Sequence, residues 1–93
     1  LAPRITFNSH RQYFTMEKAN IMLKIGGATV NQTPMDWANN TDNILKAIDA
    51  ARNANIAILC FPELCITGYG CEDWFLSEWL AERAWNELMV IKE

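Results

Sequence analysis

The sequence of 93 residues predicts an α/β fold built around one βαβ unit. Two short apolar segments, residues 22–30 and 56–61, are typical of strands, and the segment between them has the periodicity of a helix. Half of the residues are hydrophobic (51%) and a fifth are charged (20%), which is typical of a globular chain. The length allows one small domain, because domains usually contain roughly 100–200 residues.

The first predicted strand runs from Met22 to Val30 and is mainly apolar. The pair Gly26 and Gly27 weakens this segment as a strand and indicates a bulge or the close approach of another backbone. Pro34 ends the segment, because proline has no N–H to donate to a sheet.

The predicted helix follows, and one apolar stripe runs along it: Ile44, Leu45, Ile48 and Ala51. The sequence defines the start of this helix only to within about one turn, since four side chains could cap it: Asp36, Asn39, Asn40 and Thr41. Asn55 is expected to end the helix, because asparagine tolerates the left-handed conformation that is common just past a helix end.

The second predicted strand, Ile56–Phe61, is apolar without alternation, which is typical of a strand buried on both faces of a parallel sheet. Strand, helix and strand then form the βαβ unit. Pro62 ends the strand, so Glu63 is expected at its carboxyl end, where α/β proteins bind ligands. Cys60 within this strand is expected to be a buried apolar side chain.

A tight turn is expected over residues 64–70, which contain two glycines. Glu72 and Asp73 are expected to open a short helical turn, and Ser77 is expected to cap a longer helix from about Glu78. Apolar residues recur at helical spacing along this last helix: Trp79 or Leu80, Ala84, Leu88 and Ile91.

The composition argues against several classes of function. The net charge is −3 without clustered bases, so a nucleic-acid partner is not expected. No apolar run reaches the roughly 18 residues of a membrane span, and no secretory signal is recognisable. The odd number of cysteines favours reduced thiols in a cytoplasmic protein, and their spacing does not indicate a metal site.

Residues 1–21 show neither the strand nor the helix period and are expected to be an extension of unknown role. Four of the eight basic residues lie in residues 1–24, whereas ten of the eleven acidic residues lie in residues 25–93. Such a break often marks the boundary between a tail and a folded body, and chance clustering is the alternative. The domain is expected to occupy residues 22–93 and to be truncated at residue 93.

Glu63 is the main candidate for chemistry. It follows an apolar strand and lies between Pro62 and Leu64, so its carboxylate is expected to be partly desolvated. Desolvation disfavours the charged form of a carboxylate, which suits a general base. The alternative is an exposed loop glutamate that happens to follow a strand.

Residues 61–69, Phe-Pro-Glu-Leu-Cys-Ile-Thr-Gly-Tyr, resemble the first catalytic motif of the nitrilase-type carbon–nitrogen hydrolases. Residues 30–32, Val-Asn-Gln, also resemble the end of that superfamily's first strand. Within the superfamily, residues 67–75 are most similar to the glutaminase domains of glutamine-dependent NAD synthetases. The resemblance covers about residues 22–93, and it implies that the βαβ unit is the N-terminal portion of a four-layer α–β–β–α sandwich.

The resemblance implies a Glu–Lys–Cys triad in which Glu63 is the general base. The lysine and cysteine are expected beyond residue 93, because Lys24 and Lys92 do not match the lysine motif and no cysteine here matches the nucleophile. The 93 residues alone are therefore expected to be inactive. By the resemblance Tyr69 lines the glutamine pocket, whereas the alternative is an aromatic side chain that covers the core.

For the whole protein, the resemblance implies glutamine hydrolysis that supplies ammonia for the ATP-dependent conversion of deamido-NAD to NAD. ATP and Mg²⁺ are expected at a synthetase domain outside this sequence, and the full-length protein is expected to be a homo-oligomer. The alternatives are another amidase or carbamoylase of the superfamily acting on a small amide, or a non-catalytic α/β interaction module. Two strands with their helices leave an apolar face uncovered, so the isolated chain is expected to oligomerise or to bind the dye ANS.

Overall fold

The computed structural model of the chain describes residues 13–16 and 21–93. Its regular elements are strand β1 (Tyr13–Met16), strand β2 (Ile21–Gly27), helix α1 (Trp37–Asn53), strand β3 (Ile58–Cys60), a 3₁₀ helix (Glu72–Leu76) and helix α2 (Glu78–Lys92). Neither helix in this part of the chain has the length and apolar character needed to cross a membrane.

The three strands form one sheet in the order β1-β2-β3. Strands β2 and β3 are parallel, with Ile25 opposite Ile58, and α1 connects them. This confirms the predicted βαβ unit and the α/β class. The sequence predicts a bulge or the close approach of another backbone at the glycine pair, but the close neighbour of Gly26 is a side chain: a Cβ added there would lie 2.6 Å from Cδ1 of Ile56.

Strand β1 is not predicted by the sequence, because four residues are too few to show the alternation of a strand. It pairs antiparallel with β2, and Tyr13 lies opposite Lys24. The expected extension, residues 1–21, therefore contains strand residues. Its other parts, residues 1–12 and 17–20, lie outside the described residues.

Strand β3 is shorter and more exposed than the sequence predicts. It contains three residues instead of the six of Ile56–Phe61, Ile58 is 57% exposed, and Cys60 is exposed as well. A strand is buried on both faces only where a layer packs on each face. The described residues supply helices but no second sheet, so the predicted burial of this strand and of Cys60 is wrong for this chain.

Helix α1 begins after Asp36 and ends before Ala54. Asn55 follows with a φ of 58° and donates its N–H to the Arg52 carbonyl at 3.0 Å, which confirms the predicted end of the helix. The ammonium group of Lys24 donates to the Ala54 carbonyl at 2.5 Å. A side chain of β2 therefore satisfies a carbonyl that the end of the helix leaves unpaired.

One face of α1 is buried, and it contains Asn40, Thr41, Ile44, Ala47 and Ala51. The predicted stripe is right at Ile44 and Ala51 but wrong at Leu45, which is 37% exposed. Leu45 lies one residue from Ile44, about 100° around the helix, whereas Ala47 lies nearly one turn on. Asn40 and Thr41 belong to the buried face and not to the cap, because the helix begins at Trp37.

Polar and aromatic contacts join α2 to the start of α1. The Thr41 hydroxyl donates to Oε2 of Glu87 at 2.7 Å, and Nη2 of Arg83 lies 3.0 Å from Oε1 of the same carboxylate. The Arg83 guanidinium also lies over the Trp37 ring, 5.3 Å from its centroid. Because Glu87 bridges a buried hydroxyl and a cation, it fixes α2 against the first turns of α1.

The predicted short helical turn and the final helix are both present. Ser77 immediately precedes α2, but its hydroxyl donates to the Trp74 carbonyl at 2.5 Å and makes no cap hydrogen bond to α2. Leu80 is the buried residue of α2, whereas Trp79 (44%) and Leu88 (39%) are exposed. The apolar face predicted for this helix is thus largely uncovered in this chain.

Candidate functional site

Glu63 lies just past the carboxyl end of β3, as the sequence predicts. The Ala28 N–H donates to the Cys60 carbonyl at 2.8 Å, which continues the β2–β3 pairing, and Phe61-Pro62 then leads into a turn that starts at Glu63. Because β2 and β3 are parallel, the segment that follows β2 starts at the same edge of the sheet. Ligands bind at this edge in α/β proteins.

The Glu63 side chain is exposed, so the predicted partial desolvation is wrong for this chain. Leu64 is 39% exposed and Pro62 is only half-buried, so the apolar neighbours in sequence do not cover the carboxylate. Burial at this position depends on what packs over the strand end, and the residues that follow fold into a turn instead. The carboxylate is therefore open to solvent at the edge of the sheet.

The backbone of Leu64, immediately after Glu63, has a φ of 57°. This left-handed conformation is rare for a bulky residue and costs on the order of 1–3 kcal/mol. The Gly68 N–H donates to the Leu64 carbonyl at 2.8 Å, which closes the turn. A strained residue persists only where its surroundings fix it, so the contacts that hold this turn also determine where Glu63 lies.

Two amide side chains join this turn to the segment that follows β2. Nε2 of Gln32 donates to the carbonyls of Cys65 at 2.6 Å and Asn40 at 3.0 Å. Nδ2 of Asn40 donates to the carbonyls of Thr33 at 2.7 Å and Ile66 at 3.3 Å, and its Oδ1 accepts the Thr33 N–H at 3.0 Å. Asn40 is 1% exposed, and at such burial an unpaired polar atom is costly.

The turn also packs closely against Thr33 and Pro34 through two glycines. Gly68 has a φ of 83°, and a Cβ added there would lie 2.8 Å from the Thr33 carbonyl oxygen and 2.9 Å from Cα of Pro34. A Cβ added at Gly70 would lie 2.9 Å from Cγ of Pro34. The predicted tight turn is therefore present, and at Gly68 both the backbone conformation and the space require glycine.

Buried polar groups complete the interior of the turn. The Met35 N–H donates to the Thr67 carbonyl at 2.8 Å, and Oγ1 of Thr67 donates to the Gly68 carbonyl at 3.0 Å. The Cys71 thiol, 1% exposed, donates to the Thr67 carbonyl at 3.4 Å. The turn is thus held by its own side chains and by the segment after β2.

The three cysteines occupy different environments. Cys60 is exposed, Cys65 is half-buried and Cys71 is buried. Burial raises the pKa of the Cys65 thiol above its ordinary value, and a hydrogen bond with the backbone only partly offsets this. Because the thiolate is the nucleophilic form, the raised pKa argues against Cys65 as a nucleophile.

Tyr69, the predicted pocket residue, is 58% exposed. Its ring therefore does not cover the core in this chain, and its role in a glutamine pocket stays a prediction. Glu72 and Asp73 are exposed as well, and Glu72 has a φ of 49°. All three side chains are accessible at the start of the 3₁₀ helix or just before it.

A shallow apolar cavity of about 240 Å³ lies between the turn and α2, and it is lined by Leu64, Cys65, Ile66, Thr67 and Ala84. No charged side chain lines it, so this cavity does not bring Glu63 to a substrate. Within residues 13–16 and 21–93, no group of three or more His, Cys, Asp or Glu side chains could hold a metal ion.

The sequence did not indicate the role of the two amides. The sequence predicts Asn40 only as a candidate cap, and Gln32 only as part of a resembling motif. A signal existed for Asn40, since it lies four residues before Ile44 and eleven before Ala51, on the buried stripe. A polar side chain on an apolar stripe points to a buried hydrogen-bonding role. The sequence contains no comparable signal for Gln32.

Known proteins match the part of the chain that contains this site. The sequence profile of the carbon–nitrogen hydrolase family matches residues 24–89. A glutamine-dependent NAD(+) synthetase of Oryza sativa subsp. indica is 41% identical over 70 residues, which are 75% of this chain and 10% of that protein. The protein of the same name from Arabidopsis thaliana is 42% identical over 65 residues, which are 70% of this chain and 9% of that protein.

A solved structure is similar as well. The crystal structure of a glutamine-dependent NAD(+) synthetase from Cytophaga hutchinsonii matches with a TM-score of 0.72 and 64% sequence identity. The match covers 74% of this chain and 12% of that chain. This chain therefore spans about a tenth of the length of the relatives it matches.

Proposed function

Because the chain belongs to the carbon–nitrogen hydrolase family, we propose that it is part of a glutaminase that releases ammonia from the side-chain amide of glutamine. One observation carries this proposal: the Phe-Pro-Glu-Leu motif places Glu63 at the carboxyl end of a parallel strand. The name shared by the relatives, glutamine-dependent NAD(+) synthetase, supports a use of this ammonia in converting deamido-NAD to NAD.

Glu63 acts in this proposal as the general base. A thiol attacks an amide poorly until a base removes its proton, and the protonated carboxyl can then donate that proton to the departing ammonia. A lysine ammonium near the reacting carbonyl stabilises the developing oxyanion. Together the three groups hydrolyse the amide through a thioester.

The other two members of the triad are proposed to come from outside these 93 residues. Lys24 already donates to the Ala54 carbonyl at the end of α1, so its ammonium is committed to the fold. The raised pKa of the Cys65 thiol and the burial of Cys71 argue against either as the nucleophile. The exposed Cys60 thiol does not match the family's nucleophile motif either, so we propose that these 93 residues alone are inactive without the matching cysteine and lysine.

The proposed surroundings also account for the exposure of the strand end. In a four-layer α–β–β–α sandwich a second sheet packs on the face of the first, and here Ile58 and Cys60 lack such a cover. The same additional layers would shield the Glu63 carboxylate. The open face supports an architecture that further chain completes.

Further proposed features belong to the whole protein. ATP and Mg²⁺ serve a synthetase domain, and the described residues offer no group of ligands for the metal, so no step here runs through it. Tyr69 is proposed to line the glutamine pocket from its exposed position. The full-length protein is proposed to be a cytoplasmic homo-oligomer.

The direct test is the reaction of the full-length protein with deamido-NAD, ATP and glutamine. We expect NAD and glutamate to form in equal amounts, because each amide released supplies one ammonia. Hydrolysis of another amide, a nitrile or a carbamoyl compound in place of glutamine would keep the family and remove the glutaminase. Absence of any hydrolysis would favour a non-catalytic interaction module.

A further inference from the structure

We propose that Asn40, assisted by Gln32, is a positioning residue that orients Glu63 for glutamine hydrolysis, an inference that rests on the proposed function. Neither amide is the base or the nucleophile. They act through the turn that begins at Glu63, since they bind the carbonyls two and three residues further along, those of Cys65 and Ile66.

The turn has two fixed ends. Strand β3 holds the end before Glu63, through the pairing of β3 with β2. The two amides hold the other end against the segment after β2, at distances of 2.6 Å and 3.3 Å. With both ends fixed, the backbone between them sets the position of the Glu63 Cα and the direction of its Cα–Cβ bond.

Both the nitrogen and the oxygen of the Asn40 side-chain amide have hydrogen-bond partners in this arrangement. Its amide nitrogen donates to the carbonyls of Thr33 and Ile66, and its amide oxygen accepts the Thr33 N–H. Both amide protons are thereby occupied, and the side chain is 1% exposed. Truncation would leave the Thr33 and Ile66 backbone groups without these partners.

The strained residue between the fixed ends, Leu64, makes the position of Glu63 sensitive to the contacts of the two amides. Leu64 has a φ of 57°, and a released turn can relax this conformation. Because Leu64 is bonded directly to Glu63, the relaxation moves the carboxylate. A displacement of about 1 Å in a catalytic group can cost roughly 100-fold in rate.

The test compares Asn40→Ala with Asn39→Ala in the full-length protein. The neighbouring asparagine is exposed and donates to Oδ2 of Asp36 at 2.8 Å, so it is a matched control on the same helical turn. We expect kcat/KM for glutamine to fall about 10- to 100-fold in Asn40→Ala and to stay within about twofold in the control. An unchanged value in Asn40→Ala would overturn the inference.

A second substrate separates positioning from loss of folded protein. A γ-thioester of glutamate reacts at the same carbonyl, but its thiolate leaves without the proton that ammonia needs from the Glu63 carboxyl. Displacement of Glu63 should therefore lower kcat/KM for glutamine at least about threefold more than for the thioester. Equal losses on the two substrates would indicate a purely structural role and would overturn the inference.

Gln32→Leu provides an independent variant, because it removes the donor to the Cys65 carbonyl and leaves Asn40 in place. It should show the same unequal loss on the two substrates, and equal losses would again count against positioning. A wild-type protein that does not hydrolyse glutamine would reject the proposed function itself. Wild-type hydrolysis without unequal losses in either variant would reject the positioning role alone.

Discussion

At the scale of single residues, Glu63 shows which features of the site depend on local sequence. Its place at the strand end follows from the apolar segment before it and from Pro62, so the sequence predicted it. Its exposure does not follow from those neighbours, because burial at a strand end is decided by the layers packed over it. The Asn40 contacts join segments 26 residues apart, and no local pattern indicates such a partner.

The environments of the cysteines predict their order of reaction. In the 93-residue chain, iodoacetamide should modify exposed Cys60 first, half-buried Cys65 more slowly and buried Cys71 last. Mass spectrometry of peptides from a time course measures this order. Modification of Cys71 before Cys60 would contradict the described turn.

The raised pKa of the Cys65 thiol adds a pH dependence. Iodoacetamide reacts with the thiolate, and burial keeps this thiol protonated to higher pH than an ordinary cysteine. Its alkylation should therefore begin to accelerate only at a pH above that of a free cysteine in a short peptide, which is the control. Acceleration at the same pH in both would show that the thiol is not desolvated.

At the scale of elements, the sequence predicts those whose pattern is long enough to show a period. Both helices, the short helical turn and the parallel pair β2–β3 are confirmed. Strand β1 contains four residues and gives no readable alternation. The length and burial of β3 were overestimated, because a continuous apolar run assumes cover on both faces that this chain does not supply.

The turn after β3 predicts a large effect for Gly68→Ala. The residue has a φ of 83°, and an added Cβ would lie 2.8 Å from the backbone oxygen of Thr33, so we expect a loss of about 1–3 kcal/mol in stability. Gly27→Ala is the matched control, because nothing lies within 4 Å of its added Cβ. The midpoint of thermal inactivation of glutamine hydrolysis in the full-length protein measures both.

We expect Gly68→Ala to inactivate at a lower temperature than the wild type and Gly27→Ala to remain close to it. A similar midpoint in the wild type and Gly68→Ala would contradict the close packing of the turn on Thr33 and Pro34. A large loss in the control would point to the strand as the sensitive element.

At the scale of the whole molecule, the described residues leave much apolar surface uncovered. Large exposed side chains include Ile58 (57%), Leu76 (86%), Trp85 (61%) and Val90 (54%). The buried apolar residues are few and mostly small: Ala28, Ile44, Ala47, Ala51, Cys71 and Leu80. So many exposed large apolar side chains beside so small a buried core are typical of a chain that packs against further protein.

The isolated 93-residue chain should therefore oligomerise or bind ANS. Light scattering after size-exclusion chromatography gives its mass, and ANS fluorescence reports accessible apolar surface. The full-length protein is the control and should bind less dye per mole, since the additional layers proposed for it would cover these side chains. A soluble monomer with a sharp cooperative melt and no ANS signal would contradict this description.

The role of Glu63 as the base of a glutaminase is tested by Glu63→Gln in the full-length protein. The measurement is the rate of NAD formation from deamido-NAD with glutamine, divided by the rate with free ammonia, and Glu82→Gln on the exposed side of α2 is the control. We predict a fall of about 100-fold or more in this ratio for Glu63→Gln, through the glutamine rate alone, and no fall for the control. A ratio in Glu63→Gln close to that of the wild type would contradict this role for Glu63.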